Sequence, residues 1–228
     1  MSKPDLTLLY CTANTMPDEV AEKIRQNLLE VTKNQYPIIS VSQKPINFGV
    51  NICVGEIGKS CYNFFKQMLL GAKHVKTAYI AHIDDDTLYV PEHFQHRPSS
   101  LNAFTWNSNS WIGGDKLYWH PQEDLSGMFC HISPTQALID NLTPRFMKFP
   151  TQPRDDHHFG EPGKFDSEFG IQNARVGKFA TKLPLISFEY RGSLNGKRKR
   201  FGLTDPNSYK YELEYFGSAK ELYHKYWS

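Results

Sequence analysis

Nothing in this sequence approaches the roughly 20 consecutive apolar residues that a membrane-spanning helix needs, and the opening Met1-Ser2-Lys3-Pro4-Asp5 carries no hydrophobic signal segment. Both absences predict a protein that stays in the cytoplasm of the cell that makes it. Cysteine is scarce: Cys11, Cys53, Cys61 and Cys130 are the four, with no CxxC spacing and no close pairing. That excludes a disulfide framework and a zinc ribbon, and predicts reduced, mostly buried thiols. Charge of one sign is missing too, since 26 Lys and Arg stand against 24 Asp and Glu. No whole-protein field selects a partner, although charge can still cluster locally. Internal repeats and low-complexity tracts are also absent.

What is present is ordinary globular material with one excess. Hydrophobic residues at 39% and charged residues at 22% exclude a disordered chain, and 228 residues suffice for one sizeable domain but not for two full ones. Aromatics reach 14%, with 15 Phe, 12 Tyr and 4 Trp, more than one core uses, which points to stacking surfaces.

The order of elements is legible in the first half. Leu6-Thr7-Leu8-Leu9-Tyr10-Cys11 is an apolar strand leading into a polar loop that closes on Pro17. Over residues 18–34 the positions Val20, Ile24, Leu28 and Val31 recur at helical spacing. Strands follow at residues 37–41 and 50–54. A helix over residues 61–72 carries Phe64, Phe65, Met68 and Leu69, and a β-rich run at residues 77–83 ends abruptly on three aspartates. Strands alternating with helices predict an open, largely parallel α/β sheet, in which ligands bind beyond the carboxyl ends of the strands. The second half reads as short strands and turns, with helices predicted over residues 133–141 and 166–176, the latter closed by Gly177. Residues 154–163, with Asp155-Asp156-His157-His158, read as a polar loop suited to closing over a substrate.

Asp84-Asp85-Asp86 is the sharpest chemical feature. Three carboxylates at the end of a buried strand repel one another unless a cation or strong donors neutralise them. Their oxygens suit a hard Mg2+ or Mn2+, and a metal held by one or two of them keeps positions open for substrate phosphates. The plainer alternative is a solvated turn capping a helix opened by Pro91.

The run Tyr79-Ile80-Ala81-His82-Ile83-Asp84-Asp85-Asp86-Thr87-Leu88-Tyr89-Val90-Pro91 resembles the DxD segment of glycosyltransferases of the GT-A fold. Asp166-Ser167-Glu168-Phe169-Gly170-Ile171-Gln172-Asn173-Ala174-Arg175 is similar to the segment that carries the catalytic carboxylate in family 2 members. The resemblance spans most of residues 6–190. It implies a single Rossmann-like α/β domain with a mostly parallel central sheet flanked by helices. Residues 1–98 would bind the nucleotide sugar, and residues 99–228 would hold the acceptor and a C-terminal extension. It places Tyr10, Thr12, Asn14, Asp84, Asp85 and Arg191 around the nucleotide sugar, with Asp84 and Asp86 on the metal. Asp166 becomes the general base, with Glu168 the alternative. The chain departs from the pattern at Phe165, where the family often has a second acid, and at Gln172, where it has Arg. Arg191 follows the strand read at residues 186–190, where some relatives place a metal-binding histidine, and would neutralise the leaving diphosphate.

The implied reaction is inverting transfer from a UDP-sugar, glucose first, to an acceptor hydroxyl. A metal would act on the departing phosphates and a carboxylate on the attacking hydroxyl. Lys197-Arg198-Lys199-Arg200 and the aromatic Trp106 and Trp111, with Tyr118 and Trp119, form a candidate acceptor surface. Because the chain resembles small phage-type transferases, 5-hydroxymethylcytosine in phage DNA is the leading acceptor, flipped out of the duplex to react in a host cytoplasm. A cell-surface polysaccharide or lipid-linked glycan is the alternative acceptor. Nucleotidyl transfer and a non-catalytic nucleotide-sugar or nucleic-acid binding module are the readings of other classes. Gly55-Glu56-Ile57-Gly58-Lys59-Ser60 resembles a phosphate loop only loosely, because Cys53 stands where that pattern needs glycine, and it reads as a helix entry. Oligomeric state is not readable from these features.

Overall fold

The seven residues of Leu6–Thr12 are buried at every position, which is the pattern of a strand covered on both faces, and they form β1 at the centre of the sheet. The structure, a computed structural model, describes residues 4–113, 117–119, 127–153, 159, 161–163, 165–172, 174–188 and 209–227. Helix α1 (Asp18–Thr32) follows and ends where Lys33 and Asn34 turn left-handed, at φ 51° and 50°. Next come β2 (Ile38–Ser42), β3 (Val50–Cys53), α2 (Cys61–Ala72) and β4 (Tyr79–Ile83). Ser60 caps α2 by accepting the Asn63 amide at 3.1 Å. The boundaries of α2 are those the periodicity predicts.

Among the described residues a seven-stranded sheet has the order β10-β6-β9-β4-β1-β2-β3, with β6 (Ala103–Asn107), β9 (His131–Pro134) and β10 (Arg175–Phe179) on the far side of β4. Strands β4, β1, β2 and β3 are mutually parallel, as are β6 and β10, and only β9 runs antiparallel to its two neighbours. The single-domain, mostly parallel α/β architecture is therefore the one expected. A second sheet, in the order β12-β8-β7-β11-β5, contains β5 (Thr87–Leu88), β7 (Ser110–Gly113), β8 (Leu117–Trp119), β11 (Leu185–Phe188) and β12 (Tyr209–Lys210). Helix α3 (Thr135–Lys148) follows β9 and packs beside α2, while α4 (Ala219–Trp227) lies beside α1.

Two cores hold these layers. The larger takes β1, β2, β4 and α2, including Leu8, Leu9, Met68 and Ile80 at 0% exposure. The smaller joins Val20, Ala21 and Ile24 of α1 to Leu88, Ile186 and Phe188 of the second sheet and to Leu222 and Tyr226 of α4. Burying each such side chain is worth ~1.5–3 kcal/mol. Gly71 lets α2 sit directly on the sheet, because a Cβ there would fall 2.4 Å from Leu9 Cδ1 and 2.8 Å from Val41 Cγ2.

Three expectations need correction. The helix predicted over residues 166–176 is a single 3₁₀ turn, Asp166–Phe169, followed by β10. Phe165 at φ 60° and Gly170 at φ 71° bound that turn, and left-handed residues at both ends prevent it from growing into an α-helix. The helix predicted at Pro91 is likewise one 3₁₀ turn, Pro91–Gln95. Of the four cysteines only Cys11 and Cys130 are buried, whereas Cys53 is exposed on an edge strand.

Candidate functional site

Because β1, β2, β3 and β4 are parallel, the segments that leave their carboxyl ends all emerge at one edge of the sheet. Four segments meet there: residues 12–14, 42–44, 54–60 and 84–86. Thr12 Oγ1 donates to Asp85 Oδ2 at 2.6 Å and accepts the Asn14 amide at 2.9 Å. Asn14, left-handed at φ 54°, accepts the backbone amides of Gln43 and Lys44 on its Oδ1 at 2.8 and 2.9 Å. Gln43 then clasps Gly58 in both directions, at 2.8 Å from Nε2 to the carbonyl and 3.1 Å from the glycine amide to Oε1. Below this floor Gln67 Nε2 of α2 donates to the carbonyls of Thr12 and Val41, at 3.0 Å each. Thr12 and Asn14 thus form the wall of the crevice, tied to its acids.

The three aspartates form the link between the sheets. Strand β4 ends at Ile83 in the first sheet, and β5 begins at Thr87 in the second, paired with β11. Asp86 Oδ1 accepts from Thr87 Oγ1 at 3.0 Å and from Ser187 Oγ of β11 at 3.3 Å, and its carbonyl accepts the Phe188 amide at 2.8 Å. Tyr89 Oη accepts the Asp84 amide at 3.1 Å while donating to the Phe129 carbonyl at 2.9 Å.

No Lys or Arg lies within ion-pairing distance of these carboxylates among the described residues. Burial raises all three, and repulsion from the neighbouring aspartates adds to it at Asp84 and Asp86: Asp84 lies well above the ordinary carboxylate range, Asp85 is raised against the opposing Thr12 hydroxyl and the Arg25 and Lys59 charges, and Asp86 is raised to about 7. Lys59, from the segment that only loosely resembled a phosphate loop, sends its charge toward Asp85, though its own partial burial lowers its pKa.

Behind the aspartates stands a layer of histidines. His82, His93 and His131 are all 0% exposed, and His82 Nδ1 lies 3.5 Å from Asp84 Oδ1. Burial holds all three neutral, lowering His82 to about 4 and His93 to about 3. His131 stacks on Phe104 with ring centroids 5.6 Å apart.

A hard divalent cation fits this donor set in one respect: the acids present only carboxylate oxygens, with no Lys or Arg ion-paired to them among the described residues. Among the described residues no three His, Cys, Asp or Glu side chains converge on a metal position, so substrate phosphates and water would complete the coordination.

The other sequence-derived residues are placed differently from expectation. Asp166 is 1% exposed, and both of its oxygens are taken: Oδ1 by Arg145 Nη2 at 2.5 Å and Asn141 Nδ2 at 3.1 Å, Oδ2 by the amides of Gly163 at 3.0 Å and Ala174 at 3.2 Å. Four donors leave it no lone pair for an acceptor hydroxyl. It is instead the anchor of its loop, paired with an arginine that is itself 0% exposed. Glu168, two residues on, is exposed.

Tyr10 is 1% exposed with its ring edge-on to Phe48, and so belongs to the core. Trp106 at 1% and Trp111 at 7% are core as well and present no open face for stacking. Arg191, Lys197, Arg198, Lys199, Arg200 and the Asp155-Asp156-His157-His158 loop lie outside the described residues, as do the side chains of Tyr118 and Trp119. Sequence reasoning missed Ser187 and Lys59. The first carried no signal, being one serine in an apolar strand, while the second sat in the segment set aside as a helix entry.

No protein-family model matches the chain, and no curated protein does. Among solved structures the chain is similar to a glycosyltransferase involved in the glycosylation of the major capsid of PBCV-1. That match has 12% identity and a TM-score of 0.47, over 78% of this chain and 82% of that one. It is similar to S. aureus TarS 1-349 in complex with UDP-GlcNAc at 12% identity and a TM-score of 0.47, over 83% of this chain and 60% of that one. A nucleotidyl transferase from Methanothermobacter thermautotroptrophicus matches at 9% identity and a TM-score of 0.40, over 75% of this chain and 86% of that one.

Proposed function

We propose that this chain is a nucleotide-sugar-dependent transferase, moving a sugar from a UDP-sugar to an acceptor hydroxyl with a divalent metal at Asp84 and Asp86. The observation that carries the reading is the group of raised carboxylates, with no Lys or Arg ion-paired to them among the described residues, at the carboxyl edge of a parallel sheet and tied to the β1 exit through Thr12. Such a cluster is costly alone and favourable opposite a metal-bound diphosphate. When bound, the metal would supply Lewis-acid stabilisation of the departing phosphates. Thr12 and Asn14 keep Asp85 and the β2 exit in place, and Ser187 orients Asp86. Lys59 brings positive charge to the rim where a diphosphate would lie.

Glu168 takes the role of base. Asp166, occupied by its four donors, positions the loop that carries Glu168. Direct attack by the activated hydroxyl would invert the anomeric centre.

The acceptor is assigned here only as a hydroxyl compound. Trp106 and Trp111 are buried, and the side chains of Tyr118 and Trp119 and the basic cluster lie outside the described residues, so DNA enters as one arm of the test. UDP-glucose is supplied with Mn2+ alone, with DNA containing 5-hydroxymethylcytosine, and with glycan acceptors while released UDP is quantified, and a parallel arm supplies UTP with glucose 1-phosphate while released pyrophosphate is quantified. UDP release that disappears in Asp86→Asn supports the reading. Pyrophosphate release would replace it with nucleotidyl transfer, and absence of both turnover and nucleotide binding would overturn it.

A further inference from the structure

Away from the aspartates, α2 turns part of its surface toward the C-terminal end of α3, and between the two lies a cavity of about 370 Å3. Its walls are mostly apolar, formed by Ile57, Tyr62, Leu69, Leu70, Phe146 and Pro150, with Gln67, its Nε2 already bonded to the Thr12 and Val41 carbonyls, as the buried polar member. The volume is within the ~300–1,000 Å3 range of small-molecule sites and too small for a helix ~10–12 Å across. Lys66 on α2 and Lys73 at its C-cap also line it, both exposed and seven residues apart, or about 10.5 Å along the helix axis. The Lys66 ammonium stands 6.0 Å over the Tyr62 ring. No acidic residue lines the cavity, and neither lysine forms an ion pair among the described residues.

We propose that this cavity binds a single-chain phosphate monoester amphiphile, its apolar chain in the hollow and its phosphate between Lys66 and Lys73. The charge complementarity selects that class. A phosphate monoester carries about −1.5 to −2 at neutral pH, which two ammonium groups on flexible stems can match from either side. An apolar lining with no buried acid accepts the hydrocarbon without leaving a polar group unpaired. The inference makes no use of the transferase reading, although Val54 and Ile57 come from the segment that also borders the crevice and Gln67, which supports the crevice from below, lines the cavity too. Val54 and Ile57 of the cavity share their segment with Lys59, whose charge acts on Asp85.

Dodecyl phosphate, kept below its micelle-forming concentration, is titrated into the full chain by calorimetry, in parallel with dodecanol and with inorganic phosphate. Expected are saturable 1:1 binding of dodecyl phosphate, binding of dodecanol at least tenfold weaker, and no detectable heat from phosphate. Lys66→Met/Lys73→Met, which keeps the apolar stems, should weaken dodecyl phosphate at least tenfold, and Leu70→Arg should abolish binding. The far-UV circular dichroism and urea midpoint of the same variants stay at the parent's values, which reports an intact fold without drawing on the transferase reading. Equal affinity for dodecanol and dodecyl phosphate, or full affinity in the double variant, would overturn the proposal.

Discussion

The hydroxyl of Thr12 donates to the carboxylate of Asp85 at 2.6 Å, joining the carboxyl ends of two adjacent parallel strands across 73 residues of chain. Among the described residues it is the one side-chain hydrogen bond that holds an aspartate of the cluster to β1. Thr12→Val keeps the shape and removes the donor. Hydrogen bonds to charged groups are worth ~1.5–3 kcal/mol, so the urea midpoint should fall correspondingly at pH 7.5 and nucleotide affinity should drop with it. An unchanged midpoint would show that the bond contributes nothing.

Asp86 makes stability depend on pH in the opposite sense to a salt-bridged acid. Its pKa rises from 3.8 to about 7 on folding, so the native state holds a proton that the unfolded chain releases. Its contribution is present below pH 3.8 and lost as pH rises through about 7. Asp86→Asn should therefore raise the urea midpoint at pH 7.5 and raise it much less at pH 5. A gain of equal size at both values would contradict the assignment.

The histidines act on the acid side. His93 falls from 6.5 to about 3 and His82 to about 4 because burial disfavours the charged ring. Their contribution is present above pH 6.5 and lost as pH falls through 4 and 3. Relative to the parent chain, His93→Gln should show a shallower loss of urea midpoint between pH 6.5 and 4, whatever its midpoint at neutral pH. Parallel profiles would count against the neutral buried ring.

Asp166 and Glu168 should separate cleanly. Asp166→Asn breaks the buried pair with Arg145, which typically costs ~3–5 kcal/mol. Glu168→Gln, at an exposed site, should stay within about 0.5 kcal/mol of the parent and lose sugar transfer. Denaturant melts and UDP-release assays on both variants check this, and a stable, inactive Asp166→Asn with a fully active Glu168→Gln would restore Asp166 as the base.

Gly71→Ala tests the seat of α2. The added methyl meets Leu9 and Val41 at less than contact distance, and overpacking of this kind costs ~1–3 kcal/mol. A midpoint equal to the parent would mean that the helix can shift at no cost.

The first half of the fold is legible because its strands are covered on both faces and therefore read as unbroken apolar runs, with helices of clear period between them. The second half depends on partners that local sequence does not reveal. Phe169, Ile171 and Val176 suggest a helix face, but Asp166 is claimed by Arg145 from α3 and Phe165 is left-handed, so the chain turns once and extends. At the site, Asp84, Asp85 and Asp86 are visible as a costly cluster in one stretch. Ser187 reaches Asp86 from 101 residues away, and Trp106 and Trp111 look like binding aromatics until the second sheet and the core enclose them.

The acid turn spans only Asp84, Asp85 and Asp86 between a strand of one sheet and a strand of the other. That gives it no slack. Inserting or deleting a single residue would either slide β5 along β11, turning Thr87 and Leu88 to the opposite faces, or pull Asp86 away from Ser187. The length of this connector is thus as strictly set as its composition, and graftable variation in it is limited to side chains.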